Sequence, residues 1–171
     1  MIRRLVIAIG ERLIRRVAGT READFVIGGH ANPYLRRWWL IPRNRFFNVY
    51  LHQFLRSDDD RALHDHPWAN ASILLRGGYL EHLPGVDGRD ELRLLLAPAV
   101  RVRWSGRLSH RIELLVDAVV DGIPQERSCW TLFITGPRYR EWGFCCPQAW
   151  IHWKKFTAAD DVGAVGKGCD Q

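Results

Sequence analysis

Three histidines are the residues of this 171-residue chain whose types and spacing could do chemistry. His64 and His66 are separated by one residue, so on an extended strand both side chains project to the same face. Two imidazoles on one face form a bidentate clamp for a divalent transition metal. His110, which follows the alternating run 100–104 of another predicted strand, is the candidate third ligand. The sequence therefore predicts a three-histidine metal site.

A site of this composition suits more than one reaction. Three neutral ligands leave open coordination positions for water, substrate or dioxygen. Such a site could activate dioxygen at Fe(II), or supply Lewis-acid and bound-hydroxide chemistry at Zn(II). Because imidazole binds zinc, iron, nickel and copper alike, the ligand type alone leaves the metal open.

The elements that must position these histidines are predicted to be short β-strands in one domain. A chain of this length is typical of a single domain with a sizeable core. Proline, glycine, asparagine and aspartate recur between short apolar runs, which is the pattern of an all-β protein. Metal ligands from two inward-facing strand regions favour a barrel with an open mouth over a sandwich. We expect the barrel over residues 21–156 and a polar, flexible tail over 157–171.

Residues 1–20 are predicted to form a basic amphipathic helix. The apolar residues near helical spacing are Ile2, Leu5, Ile9, Leu13 and Val17. The charged residues Glu11 and Arg12 interrupt the apolar run early, and no small-residue cleavage site follows, so we expect no secretory signal. No apolar run is long enough to span a bilayer. A basic amphipathic helix could lie on a membrane or dock a partner. Packing on its own domain is the commoner use, and we expect it here.

Charge and cysteine content bound the partners and the compartment. The formal net charge of +6 comes almost entirely from arginines interspersed with acidic residues. No nucleic-acid motif accompanies these arginines, so we expect no nucleic-acid partner. The expected partner is a small-molecule substrate, and the sequence leaves homodimerisation open. The four cysteines show no spacing of a disulfide framework or zinc ribbon, which predicts reduced thiols in a cytoplasmic protein.

The histidine segments resemble the cupin superfamily, small double-stranded β-helix (jelly-roll) barrels that hold a metal. The first motif of that family is His-x-His, then an acidic residue about four positions on, then a glycine seven residues later. Here His64 and His66 are followed by Asn70 in the place of the acid and by Gly77 in the place of the glycine. His110 fits the histidine of the second motif. The resemblance implies a single cupin-type jelly-roll barrel, so together with the helix predicted from spacing we expect an all-β fold with an N-terminal α-helix.

Within that superfamily the chain is locally similar to the thiol dioxygenases, which also lack the carboxylate and bind iron with three histidines. The similar segments are 47–49, 63–66 and 110–113. This resemblance implies Fe(II), with Zn(II) or Ni(II) as alternatives, and dioxygen-dependent oxidation of a small polar substrate. The Ser-His-Tyr relay of that family is missing, because Phe133 and Thr135 stand in its place. A non-redox metal cupin (isomerase or hydrolase) and a non-catalytic binding protein are the alternatives.

Four further residues are site candidates. Asn70 could be an additional ligand or bond to metal-bound water, although asparagine is also a common turn residue. Arg43 lies roughly where the thiol dioxygenases place an arginine that grips a substrate carboxylate, and its alternative is a surface position. Tyr50 and His52 share one face of the predicted strand 48–55. They line the substrate space if that face is the lumen, but the opposite face is more apolar and could be the interior instead.

Overall fold

The computed structural model describes residues 1–29, 31–58, 62–159 and 166–170. Helix α1 spans Ile2–Val17, the short helix α2 spans Trp153–Phe156, and a 3-10 turn covers Val86–Gly88. The strands are β1 Phe25–Ile27, β2 Leu35–Trp39, β3 Asn48–Phe54, β4 Leu63–His64, β5 Asn70–Arg76, β6 Gly78–Pro84, β7 Asp90–Leu96, β8 Val100–Arg103, β9 Arg111–Leu114, β10 Val116–Val120, β11 Ile123–Glu126, β12 Cys129–Thr135, β13 Gly143–Cys145 and β14 Trp150–His152.

Two layers of antiparallel strands form the barrel. The first layer has the order β1-β2-β3-β12-β5-β8. The second consists of the groups β14-β13-β4 and β7-β6-β9, which are joined where His64 and His110 exchange both backbone hydrogen bonds at 2.9 Å. The result is a jelly-roll barrel, so the all-β fold with an N-terminal helix is confirmed.

The space between the layers is apolar at one end. Its buried side chains come from both layers and include Phe54, Leu74 and Cys129 from the first and Tyr79 and Leu114 from the second. Burial of apolar area is the main favourable term in folding, so this cluster fixes how the two layers sit on each other. The polar side chains of the lumen lie beyond it.

Gly77 makes the tight turn from β5 to β6. Its φ of 79° lies in the left-handed region, and a Cβ there would come within 2.9 Å of the Ser128 carbonyl oxygen. Only glycine adopts this conformation without strain, which is the physical reason for glycine at this place in the motif.

Helix α1 covers the outer face of the first layer, as expected, and of the predicted stripe only Leu13 and Val17 take part in this contact. The buried helix residues are Gly10 and Ile14, and Ile14 packs with Leu51 and Trp130. A Cβ on Gly10 would come within 3.0 Å of the Leu75 Cβ, so glycine permits the close approach. The first half of the predicted stripe is exposed instead.

The prediction of reduced thiols is wrong for two of the four cysteines. Cys146 and Cys169 form a disulfide, with a Cα–Cα distance of 5.5 Å across 23 residues of sequence. The two residues meet only through the tertiary path of the chain, which spacing does not reveal. Of the tail predicted at 157–171, residues 160–165 and 171 lie outside the described residues. Among the described residues, no helix is long and apolar enough to cross a membrane.

Candidate metal centre

The backbone brings the three predicted histidines together. His64 ends β4, His66 follows two residues later, and His110 directly precedes β9. The paired backbone hydrogen bonds between His64 and His110 set these two residues opposite each other in the second layer. Residues directly opposed in an antiparallel pair have neighbouring side chains, which a sequence separation of 46 residues does not reveal.

The three imidazoles can share one ion. One ligand atom from each of His64, His66 and His110 lies within 4.8 Å of the others. The Nε2 atoms of His66 and His110 are 2.9 Å apart. With metal–nitrogen bonds of about 2.1 Å, two ligands at a right angle have nitrogens about 3 Å apart. The donor set therefore fits a divalent transition metal.

The electrostatics of the cluster favour the neutral ligand form. Burial lowers the pKa of all three histidines, and for His66 and His110 it lies well below the usual value. The mutual repulsion of the protonated imidazoles and the positive charge of Arg103 act in the same direction. Metal binding needs neutral imidazole, so no proton has to be removed at neutral pH.

Carboxylates lie behind two of the histidines. The Nδ1 of His110 is 3.5 Å from the Oε1 of Glu81, and the Nδ1 of His64 is 3.9 Å from the Oδ2 of Asp58. A carboxylate behind the far ring nitrogen orients a ligating histidine and raises its basicity. This arrangement supports Nε2 as the metal-facing atom of His110 and of His64.

Glu81 itself is held by two arginines. It is fully buried, its Oε2 lies 2.8 Å from the Nε of Arg101, and Arg103 donates to its Oε1. Sequence reasoning missed this group. The available signal was the alternation of Arg101 and Arg103 on one face of β8, which reads equally well as a solvent-exposed face.

Asp65 anchors the segment between the two closely spaced histidines. Its Oδ1 accepts from the backbone N–H of Gly143 at 2.8 Å, and its Oδ2 accepts from Arg140 at 2.6 Å and from the Trp150 indole at 3.0 Å. Asp65 is buried and points away from the histidine rings, because side chains alternate along an extended segment. It therefore fixes the backbone that carries the ligands.

Both faces of β3 are buried, which resolves the alternatives for Tyr50 and His52. Leu51, on the opposite face, packs beneath α1. The His52 ring stacks on Phe133 with centroids 5.1 Å apart, and Phe133 lies 6.2 Å from the ring of His66. The Tyr50 and His52 face is thus the one that points towards the histidine cluster, and their role in substrate binding stays a prediction.

Asn70 and Arg43 lie in contrasting surroundings. Asn70 is buried opposite Thr135 and Arg103, and within the described structure neither atom of its amide has a hydrogen-bond partner. An unpaired buried amide is costly, so it has capacity for a ligand. Arg43 is exposed, with its guanidinium 5.4 Å from the centroid of the Trp39 ring.

Arg37 is a partly buried lumenal residue that sequence reasoning missed. Its Nε donates to the Nε2 of His52 at 2.9 Å, and its guanidinium lies 4.9 Å from the centroid of the Tyr50 ring. In the described part of the chain, no carboxylate pairs with Arg37. Burial lowers the pKa of Arg37, and burial together with Arg37 lowers that of His52 well below its usual value.

Comparison with known proteins finds similarity to solved structures and none to family models or curated sequences. No protein-family model matches the sequence, and no curated protein is similar to it. Solved structures with a similar fold include a cupin-2 domain of Rhodospirillum rubrum, with 12% identity and a TM-score of 0.49 over 72% of this chain and 75% of that chain.

Two further structures show the same level of likeness. The Fe(II) form of HppE has 13% identity and a TM-score of 0.46 over 65% of this chain, and the match spans only 54% of HppE. A cupin superfamily protein of Desulfitobacterium hafniense DCB-2 has 13% identity and a TM-score of 0.43 over 60% of this chain and 77% of that chain. The chemistry of the site is therefore argued from the residues of this chain.

Proposed function

We propose that this protein binds one divalent transition metal through His64, His66 and His110 and oxidises a small anionic substrate with dioxygen. The observation that carries the proposal is the convergence of three neutral imidazoles, two of them with Nε2 atoms 2.9 Å apart. Fe(II) is the favoured metal, with Zn(II) or Ni(II) as alternatives. When bound, Fe(II) supplies open coordination positions at which dioxygen is activated.

The surroundings of the histidines support an anionic substrate. A guanidinium removed from water without a counterion is costly, and a bound carboxylate, sulfonate or phosphate would offset that cost. Arg37 has this character, and its planar donor group matches such anions. Because Arg37 donates to the Nε2 of His52, the ring proton of neutral His52 lies on Nδ1. The Phe133 ring lies near both His52 and His66.

Ligand substitutions test the metal site. His64→Ala, His66→Ala and His110→Ala are each expected to abolish stoichiometric metal binding, because two remaining imidazoles hold the ion far more weakly. The matched control is His152→Ala, which removes a histidine that bonds to Glu141 outside the cluster. Metal titration and circular dichroism check binding and fold. Wild-type affinity in any two of the three cluster variants would show that the assignment is wrong.

The native metal separates the proposed oxidation from the alternatives. Elemental analysis of protein purified without a metal-affinity tag is expected to find iron. Zinc or nickel would favour a non-redox isomerase or hydrolase, and a folded protein without any metal would favour a binding protein. Oxygen uptake on addition of substrate candidates then distinguishes an iron enzyme from an iron-binding protein.

The anion site is tested with malonate as the probe. Malonate is expected to raise the melting temperature of the wild type, since a ligand that binds only the native state stabilises it. Arg37→Met should remove this shift, whereas Arg43→Met, which deletes an exposed arginine, should retain it. An equal shift in the wild type and in Arg37→Met would refute the role of Arg37.

Compartment and assembly stay predictions. The cytoplasmic location expected from the sequence is opposed by the disulfide between Cys146 and Cys169, because such bonds persist mainly in oxidising compartments. Cell fractionation with thiol-specific labelling tests it. Sedimentation checks whether the protein forms a homodimer, and a gel-shift experiment checks that it does not bind nucleic acid.

A further inference from the structure

Helix α1 carries apolar residues on a face that the barrel leaves uncovered. Ile2, Leu5 and Ile9 are 75%, 58% and 59% exposed. They recur at helical spacing and form one stripe, here called the α1 stripe. The helix docks through Gly10 and Ile14 on a different face. Exposed single apolar residues are ordinary, but a stripe of three large ones marks an interaction surface.

The α1 stripe begins next to a second exposed apolar region. The guanidinium of Arg3 donates to the Ala97 carbonyl at 3.1 Å, which places the start of the helix beside the turn between β7 and β8. The two strand residues that flank this turn, Leu96 and Val100, are 48% and 61% exposed. The apolar surface therefore continues from the helix onto the corner of the barrel.

The charge around the α1 stripe is strongly positive. The exposed arginines of the helix are Arg3, Arg4, Arg12, Arg15 and Arg16. The acidic residue of the helix, Glu11, is engaged by Arg76, with a donor–acceptor distance of 2.6 Å for the Nε bond. Arg12 and Arg16 extend the line of the stripe along the second half of the helix, because they follow Ile9 at helical spacing.

This charge pattern selects among the surfaces that could cover the stripe. A second copy of the chain would bring two arginine-rich helices together, which like-charge repulsion opposes. Nucleic acid offers the complementary charge, but its binding is dominated by phosphate contacts and needs no aliphatic stripe. An anionic lipid surface offers negative headgroups for the arginines and an acyl boundary for the isoleucine and leucine side chains.

We propose that α1 docks the protein on an anionic membrane surface, with Ile2, Leu5 and Ile9 inserted at the headgroup boundary. Arg12 and Arg16, which continue the line of the stripe, contact the anionic headgroups. The helix lies in the plane of the interface, since it is 16 residues long and its other face is packed on the barrel. The interaction is reversible, because it combines a short apolar stripe with a few charges.

Vesicle co-sedimentation of the full chain tests the proposal. Wild-type protein is expected to bind phosphatidylcholine vesicles that contain phosphatidylglycerol and not vesicles of pure phosphatidylcholine. Leu5→Ser/Ile9→Ser should weaken binding by at least about tenfold through lost apolar contact. The matched control is Val119→Ser/Ile123→Ser, which removes similarly exposed side chains from the β10–β11 hairpin and should bind like the wild type.

A variant with fewer arginines tests the electrostatic contribution to vesicle binding. Each arginine near an anionic surface is worth about a fivefold change in partition, so Arg12→Gln/Arg16→Gln should weaken binding about 25-fold. Arg89→Gln/Arg107→Gln, which neutralises two exposed arginines outside the helix, should have little effect. Melting temperatures of all variants are measured to confirm that they are folded.

Three outcomes would overturn the proposal. The first is equal sedimentation with anionic and neutral vesicles. The second is absent vesicle binding together with a dimer that Leu5→Ser/Ile9→Ser dissociates, which would make the stripe an interface between copies. The third is absent vesicle binding with arginine-dependent retention on heparin, which would point to a polyanion such as nucleic acid.

Discussion

Replacing Glu81 with glutamine is expected to be the most destabilising isosteric change near the metal centre. The carboxylate is fully buried, and it compensates two guanidinium groups, of which Arg103 is almost completely buried and Arg101 is about one-fifth exposed. Burial lowers the pKa of Arg103, while Glu81 acts to raise it. Glutamine keeps the shape of the side chain but removes the charge that makes burial of the arginines tolerable.

The magnitude follows from this burial. Removing one partner of a buried ion pair costs about 3–5 kcal/mol, because the remaining charge is left uncompensated. The partial exposure of Arg101 places the expected loss near the lower value, at about 3 kcal/mol. With a urea dependence of about 2 kcal/mol per molar, the unfolding midpoint should fall by about 1.5 M. Such a loss is a large share of the 5–15 kcal/mol typical of a domain.

Urea unfolding followed by circular dichroism measures the effect, with Glu113→Gln as the control. Glu113 lies on the neighbouring strand β9, but its side chain is 44% exposed, so its loss should cost under about 1 kcal/mol. Glu81→Gln should also weaken metal binding about 10–100-fold, because the carboxylate behind the Nδ1 of His110 is lost. In Glu81→Gln/Arg103→Met, part of the stability should return, since one uncompensated charge is gone. Equal midpoints for Glu81→Gln and Glu113→Gln would refute the reasoning.

Three other predictions concern the contact between the helix and the barrel, the disulfide and the reaction. Glu11→Gln should cost under about 1 kcal/mol at pH 7 and nothing in acid, as measured by urea unfolding at both pH values. The hydrogen bond from Arg76 lowers the pKa of Glu11 below its usual 4.5, so the contribution is present above that value and is lost as the pH falls through the lowered one. Cys169→Ser should destabilise the C-terminal segment by about 3 kcal/mol, and a reductant should lower the melting temperature of the wild type but not that of the variant. Loaded with Fe(II), the protein should oxidise free cysteine slowly or not at all, because Phe133 cannot replace the histidine of the relay; rapid iron-dependent oxygen uptake that yields the sulfinate would contradict this.

Local patterns in the sequence were enough to predict the β-barrel and the candidate ligands. The spacing of His64 and His66 places both on one face of an extended segment, whatever the rest of the chain does. Gly77, which stands in the place of the motif glycine, lies at a turn with a positive φ. Such inferences succeed because they depend on the geometry of a few consecutive residues.

The orientation of each strand face was decided only by the tertiary structure. In β8 the alternation of valine and arginine suggests valine inside, yet Arg103 is buried against Glu81 while Val100 and Val102 are exposed. In β3 both faces are buried, because one packs beneath α1 and the other faces the lumen. Alternation defines two faces but not which of them is buried, and a buried carboxylate on another strand can reverse the usual choice.

Contacts between distant segments were likewise beyond the reach of sequence patterns. The guanidinium of Arg37 meets His52 because β2 and β3 pair in one particular register, and Cys146 meets Cys169 because the chain folds back past α2. The helical spacing in α1 was correct, but the face that docks was set by the fit of Gly10 against Leu75. Residue type and spacing thus determined which groups could do chemistry, while strand register and close packing decided which of them meet.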